Sequence, residues 1–134
     1  MTASRYSIAS LTRLATDLFV AAGLDVDKAK IVAETLVTGD MVGQRTHGMA
    51  LCPQYLEQIK KGLMVKNGEP EVVRDGGSVF VWDGGYRPGP WLVARALDEA
   101  TTRLAEHGVI TAVIRRSHHI ACLTALIRRA TERG

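Results

Sequence analysis

Two short blocks place a histidine beside small or hydroxylated residues, and these blocks carry the side chains best suited to chemistry. The first block is Gly43-Gln44-Arg45-Thr46-His47-Gly48, and the second is Arg116-Ser117-His118-His119-Ile120-Ala121. The unperturbed pKa of histidine lies near neutrality, so an imidazole in each block favours proton transfer or anion binding. We therefore treat His47 and His119 as the first candidates for such chemistry.

His47 lies between Thr46 and Gly48 in a predicted turn between two helices. The glycine permits close approach of backbone to a ligand, and the threonine hydroxyl is a donor. The helix that follows directs its unpaired N–H groups and positive dipole end toward this turn. These features predict a cradle for a carboxylate. The alternative, in which both polar side chains only cap the helix, stays open.

His118 and His119 follow a predicted strand and precede the last predicted helix. Ligands of α/β sheets gather at the carboxyl ends of strands, and a helix N-terminus lowers the pKa of an imidazole. Ser117 is a candidate cap for that helix. Two surface histidines in a loop are the alternative. Adjacent histidines rarely turn toward one ion, so no metal site is predicted.

Helical and strand periodicity predict the elements that must position these blocks. Three helices come first, over residues 7–22, from Asp25 or Asp27 to Gly43, and over residues 49–61. They are followed by a strand hairpin at 71–74 and 78–82, a helix at 89–106, a strand buried on both faces at 109–114, and a helix from about His119.

This order predicts an α/β fold in which residues 1–67 form a helical N-terminal region and residues 68–134 form a partial α/β domain. A sheet with so few strands leaves an edge and one face exposed. Gly134 stands where a helix-ending glycine would lead into another strand. We therefore expect the α/β layer to be incomplete, and the chain to be part of something larger or to need a partner chain.

Composition excludes several classes of protein. The net charge of +3 comes without a lysine-rich run or a basic stripe interleaved with aromatics, so no nucleic-acid partner is predicted. Cys52 and Cys122 lack metal or redox spacing, which favours a reduced, cytoplasmic protein. No apolar run approaches the ~18 residues of a membrane span. The glycine-rich stretch 84–89 lacks the dinucleotide fingerprint, so a Rossmann domain is not supported.

The chain resembles the malate/L-lactate dehydrogenase family of the non-Rossmann type along nearly its whole length. The residues that carry the resemblance, in the order of that family, are Gly23-Leu24, Gly43 to Gly48, Pro53 with Tyr55, Gly62, Asp83-Gly84, Ala100, Gly108 and Ser117 to His119. The resemblance implies hydride transfer between NAD or NADP and a 2-hydroxy or 2-oxo acid, or a related imine. It also implies a homodimer and a small-molecule carboxylate substrate.

The same resemblance implies roles for single residues. His119 corresponds to the proton donor or acceptor, and His47 to a residue that contacts the carboxylate or carbonyl region of the substrate. The expected substrate contacts are Thr46, His47 and Gly48, and the expected cofactor contacts are Ser117, His119, Ile120 and Ala121.

Departures from the family pattern bear on the substrate and on the extent of the chain. Leu51 stands where many members carry an arginine that clamps the substrate carboxylate, and Ala121 replaces the usual glycine. Members are also well over twice as long, which implies an N-terminal portion and weak or no turnover by these 134 residues alone. The alternative is a catalytically incompetent fragment or a non-enzymatic helical interaction module.

Overall fold

A computed structural model describes residues 5–133, which contain five α-helices, two short 3₁₀ helices and a three-stranded sheet. The elements are α1 (Ile8–Ala21), α2 (Val26–Met41), α3 (Cys52–Lys60), β1 (Glu71–Asp75), β2 (Val79–Asp83), α4 (Gly89–His107), β3 (Thr111–Arg115) and α5 (Leu123–Thr131). The 3₁₀ helices, Arg45–His47 and Met49–Leu51, occupy the connection from α2 to α3. The predicted α/β fold with a leading helical segment is confirmed.

Helices α1 to α3 enclose the larger apolar core. Helix α1 starts where expected, because Ser7 Oγ accepts the N–H of Ser10 at 3.0 Å and caps the helix. It ends before Gly23, whose φ of +95° favours glycine. Ala121 from the loop after β3 belongs to this core. The second histidine block is thereby attached to the helical segment that carries the first.

The sheet has the order β1-β2-β3, with β1 antiparallel to β2 and β3 parallel to β2. The predicted hairpin is confirmed, and α4 makes the crossover between the parallel strands. Phe80 and Trp82 of β2 pack against Ala96 of α4 in a second apolar cluster. Trp82 and Trp91 are both buried, which agrees with a packing role for each.

The prediction that residues 109–114 form a strand buried on both faces is wrong for the chain that the structure describes. Strand β3 pairs only on its β2 side within residues 5–133, and Ala112 and Val113 are exposed. An apolar run reports what a strand is able to bury, whereas its actual burial depends on a neighbour that local sequence does not specify. Gly134, predicted to end the last helix, lies outside the described residues.

The predicted start of the last helix near His119 is also wrong, since α5 begins at Leu123. Ala121 has φ +54°, and a left-handed residue cannot continue a right-handed helix, so α5 can start only beyond it. Ser117 therefore caps no helix. Its Oγ instead donates to the carbonyl oxygen of His118 at 2.7 Å.

A partly buried polar contact joins the helical segment to α4. Trp91 Nε1 donates to Asp27 Oδ2 at 2.7 Å, and Lys28 Nζ lies 4.0 Å from the centroid of the Trp91 ring. Lys28 is only 2% exposed and also pairs with Asp25 at 3.0 Å. The division at residue 67 stays a prediction. Of the helices described, none is both long and apolar enough to cross a bilayer.

Candidate active site

The two histidine blocks meet at one cleft of about 430 Å³. The ring centroids of His47 and His119 lie 6.0 Å apart, with an angle of 24° between the ring planes. The lining residues are Gln44, His47, His119, Ile120, Ala121, Leu123 and Thr124. The fold thus joins the turn after α2 to the loop before α5, and it presents two imidazoles to one space.

Tyr55 of α3 holds the ring of His119 from the buried side. Tyr55 Oη lies 2.8 Å from His119 Nδ1 and 3.1 Å from the His119 carbonyl oxygen, so its one hydrogen can be donated to either atom. The backbone N–H of Ala121 donates to the same Nδ1 at 3.2 Å. Tyr55 is only 1% exposed, so its hydroxyl cannot leave this position without repacking the core.

Backbone contacts fix the loop that carries His119. The N–H groups of Gly84 and Tyr86 donate to the carbonyl oxygens of Arg115 and Arg116 at 2.8 and 2.6 Å, and the His118 N–H donates to Arg87 at 3.1 Å. This pairing extends the β2–β3 alignment beyond the strands.

Left-handed backbone conformations gather at the same two loops. The non-glycine residues with positive φ in residues 5–133 are Tyr86, Arg116 and Ala121, with φ of 60°, 49° and 54°. Each such residue costs energy, and strained backbone of this kind concentrates at functional sites. Of these three residues, Ala121 lines the cleft, whereas Tyr86 and Arg116 lie in the paired loops beside it.

Burial lowers the pKa of His119, and the nearby imidazole of His47 lowers it further. Burial and the neighbouring His119 ring lower the pKa of His118 in the same way. Both rings therefore favour the neutral form. The cause differs from the helix dipole expected from the sequence, because α5 begins four positions after His119.

The predicted site residues fall into two groups. His47, His119, Ile120 and Ala121 line the cleft. Thr46 lies behind His47, with its Oγ1 hydrogen-bonded to His47 Nδ1 at 3.0 Å. The binding roles given to all of these residues stay predictions.

Gly48 and Ser117 are placed outside the cleft lining. Gly48 is buried against α2, where a Cβ would collide with the Asp40 carboxylate. Asp40 Oδ2 also accepts the N–H of Met49 at 3.3 Å. The Met49 N–H lies at the start of the segment whose N–H groups were predicted to face a ligand carboxylate, and it donates instead to a carboxylate of the protein itself.

Sequence reasoning missed Gln44 and Thr124 as lining residues and Tyr55 as the partner of His119. Gln44 Nε2 donates to Thr124 Oγ1 at 3.0 Å, and the Cys122 thiol donates to Gln44 Oε1 at 3.1 Å. A buried tyrosine generally needs a polar partner, which was the available signal for Tyr55. Thr124 carried no signal of this kind.

Neutral side chains make up the cleft wall within the described residues, apart from the titratable imidazoles. Leu51 packs against the helical core. No group of three His, Cys, Asp or Glu side chains in residues 5–133 is arranged to hold a metal ion.

Comparison with known proteins identifies the family of the chain. The model of the family described as malate/L-lactate dehydrogenase matches residues 6–134. The chain belongs to the malate/L-lactate dehydrogenase family. A relative in this family is the L-lactate dehydrogenase of Cupriavidus necator, 31% identical over 116 residues, a match that covers 87% of this chain and 33% of the relative.

Solved structures of the family superpose on the chain. The malate dehydrogenase of Pyrococcus horikoshii OT3 does so with a TM-score of 0.92 at 25% identity, over 97% of this chain and 37% of the other. The Δ1-piperideine-2-carboxylate reductase of Pseudomonas syringae pvar. tomato does so with a TM-score of 0.88 at 25% identity, over 98% and 40%. The chain spans about a third of the length of the curated relatives that it matches.

Proposed function

We propose that this chain supplies the proton-transfer residues of an NAD(P)-dependent oxidoreductase. The reaction would move hydride between a nicotinamide and a 2-hydroxy or 2-oxo acid, or a related imine. The observation that carries the proposal is the 6.0 Å approach of His47 and His119 in one cleft of a chain from this family. Relatives named L-lactate dehydrogenase and Δ1-piperideine-2-carboxylate reductase support this substrate class.

His119 is the proton carrier in this proposal. Hydride addition to a carbonyl carbon builds negative charge on the oxygen, and an imidazolium at hydrogen-bond distance removes that charge by giving its proton. In the oxidative direction the neutral ring takes the hydroxyl proton. His47 would hold the carboxylate or carbonyl oxygen from the other side of the cleft.

The lowered pKa of His119 gives the proposal a pH dependence. Reduction needs the protonated ring, so its rate should rise as the pH falls toward the pKa of His119. Oxidation needs the neutral ring and should lose rate over the same interval. Opposite pH profiles for the two directions would support the assignment, and parallel profiles would contradict it.

The residues present fit the nicotinamide end of the cofactor. Ile120, Ala121 and Leu123 form an apolar wall beside His119, and a nicotinamide ring is flat with apolar faces. When bound, NAD or NADP would supply or accept the hydride. The protein's contribution here is to orient the substrate carbonyl between the two imidazoles and to exchange a proton at His119.

The test is a turnover assay with pyruvate, oxaloacetate and a cyclic imine carboxylate, each with NADH and with NADPH. It should compare the 134-residue chain with the longest protein product that carries this sequence. We expect turnover by the longer product and little by the 134-residue chain, which spans about a third of its relatives. Absence of turnover by the longer product with every pair would refute the proposal.

A homodimer in the cytoplasm belongs to the same proposal. Helix α1 supports assembly because Leu14 and Leu18, one helical turn apart, are 53% and 40% exposed. This exposed pair also favours the alternative, a helical module that serves assembly without catalysis. The molar mass from light scattering tests for the dimer. Unchanged turnover by a folded His119→Ala protein would favour the helical module without catalysis.

A further inference from the structure

We propose that Tyr55 is a positioning residue that leaves His119 Nε2 as the proton-exchanging nitrogen and supports the ring in both of its protonation states. The inference rests on the proposed function only for the use that the reaction makes of His119. Its basis is the arrangement of three groups around His119 Nδ1 and the carbonyl oxygen of the same residue.

The neutral ring has one consistent hydrogen-bond arrangement. A backbone N–H can only donate, and the Ala121 N–H points at His119 Nδ1 at 3.2 Å. Nδ1 must therefore present its lone pair, which places the ring hydrogen on Nε2. The Tyr55 hydroxyl at 2.8 Å is then a second donor to Nδ1.

The protonated ring has a hydrogen on Nδ1 and needs an acceptor there. Tyr55 Oη at 2.8 Å becomes that acceptor if its own hydrogen turns away. The carbonyl oxygen of His119 lies 3.1 Å from Oη and accepts that hydrogen. A rotation about the Tyr55 C–O bond thus changes the hydroxyl from donor to acceptor and moves no side chain, whereas the Ala121 N–H loses its acceptor and opposes a hydrogen on Nδ1.

The surroundings of Tyr55 keep this arrangement intact. The tyrosine ring lies nearly perpendicular to the His118 and His119 rings, with centroids 5.7 and 5.9 Å away. Burial raises the pKa of the Tyr55 hydroxyl, so the phenol keeps its hydrogen wherever His119 titrates. Tyr55 therefore acts through His119 rather than on the substrate.

Heteronuclear NMR of the 134-residue chain measures the ring directly, because the chemical shifts of the two ring nitrogens report which one carries the hydrogen. The expected result is that neutral His119, assigned with a His119→Asn sample, carries its hydrogen on Nε2. A neutral ring with its hydrogen on Nδ1 overturns the proposal without any variant, and it does so whether or not the longer product shows turnover.

Tyr55→Phe removes only the hydroxyl. The protonated ring then loses its acceptor, and a hydrogen bond to a charged group is worth more than one to a neutral group, so the proton affinity of His119 should fall roughly tenfold. Tyr6→Phe, at a tyrosine that is 70% exposed, is the matched control and should leave the His119 titration unchanged. A Tyr55→Phe protein that is folded but in which His119 titrates as it does in the wild type would overturn the proposal.

If the expected nitrogen shifts appear while His119→Ala leaves turnover intact, the positioning role stands and the proposed function fails.

Discussion

Replacing Gly89 by alanine tests whether α4 must approach the His119 loop as closely as it does. A Cβ at Gly89 would lie 2.5 Å from the His118 carbonyl oxygen, 2.6 Å from that of His119 and 2.6 Å from Ile120 Cγ2. Non-bonded carbon contacts are most favourable at about 3.5–4.0 Å, so the loop or the helix must move by roughly 1 Å. Two of the three atoms belong to backbone and cannot rotate away.

Two effects oppose each other in this variant. Overpacking of a close contact costs about 1–3 kcal/mol. The gain in helix propensity from glycine to alanine is at most about 1 kcal/mol in a helix interior and is smaller at Gly89, the first residue of α4. The steric cost should prevail, and we expect a net loss of about 1–2 kcal/mol.

Urea unfolding followed by tryptophan fluorescence measures this loss, because Trp91 lies two positions from Gly89. With a urea dependence of about 2 kcal/mol per molar, the midpoint should fall by roughly 0.5–1 M. The NMR signals of the His119 ring should also shift, since the loop moves relative to Tyr55.

Gly76→Ala is the matched control. A Cβ there would meet only the Val79 carbonyl oxygen, at an ordinary 3.4 Å. Its effect should stay within about 0.5 kcal/mol. A Gly89→Ala protein with an unchanged or higher midpoint and unchanged His119 signals would refute the steric reasoning.

Two further substitutions probe the contacts that support the site. The Arg116 guanidinium, with the Gly85 amide and Arg115, lowers the pKa of Asp83 from 3.8 to about 2. The ionised Asp83 carboxylate therefore contributes its full stabilisation of the folded state above about pH 4, and this contribution is lost as the pH falls through about 2. Asp83→Asn should therefore be less stable than wild type at neutral pH, with a gap in unfolding free energy that narrows in that acid range; a constant gap would contradict this. Trp91→Phe removes the 2.7 Å hydrogen bond to Asp27 and should lower the free energy of urea unfolding by about 1.5–3 kcal/mol, whereas a loss below 0.5 kcal/mol would show that the contact contributes little.

The helices and the hairpin could be predicted from the sequence because local signals define them. Ser7 and Gly23 set the ends of α1, and the Asp75-Gly76-Gly77 turn sets the hairpin. The start of α5 could not be predicted, because the left-handed conformation of Ala121 comes from its packing in the helical core.

The candidate site was predictable only in part. The two histidine blocks stand out by residue type, but their approach depends on tertiary packing between the helical segment and the loop after β3. Tyr55 shows the limit most clearly. Its helical spacing with Leu51 and Ile59 predicts a place on the inner face of α3, yet nothing in its sequence neighbourhood indicates His119, its hydrogen-bond partner at 2.8 Å.

The most direct test of the central claim is the turnover of the longest product after His119→Asn, with His107→Asn as the control. General acid–base catalysis typically contributes about 10²–10⁴-fold, so the first variant should lose about that factor in turnover number while its urea midpoint is kept. His107 is exposed at the end of α4 and should be dispensable. Wild-type turnover by a folded His119→Asn protein would contradict the assignment of His119 as the proton carrier.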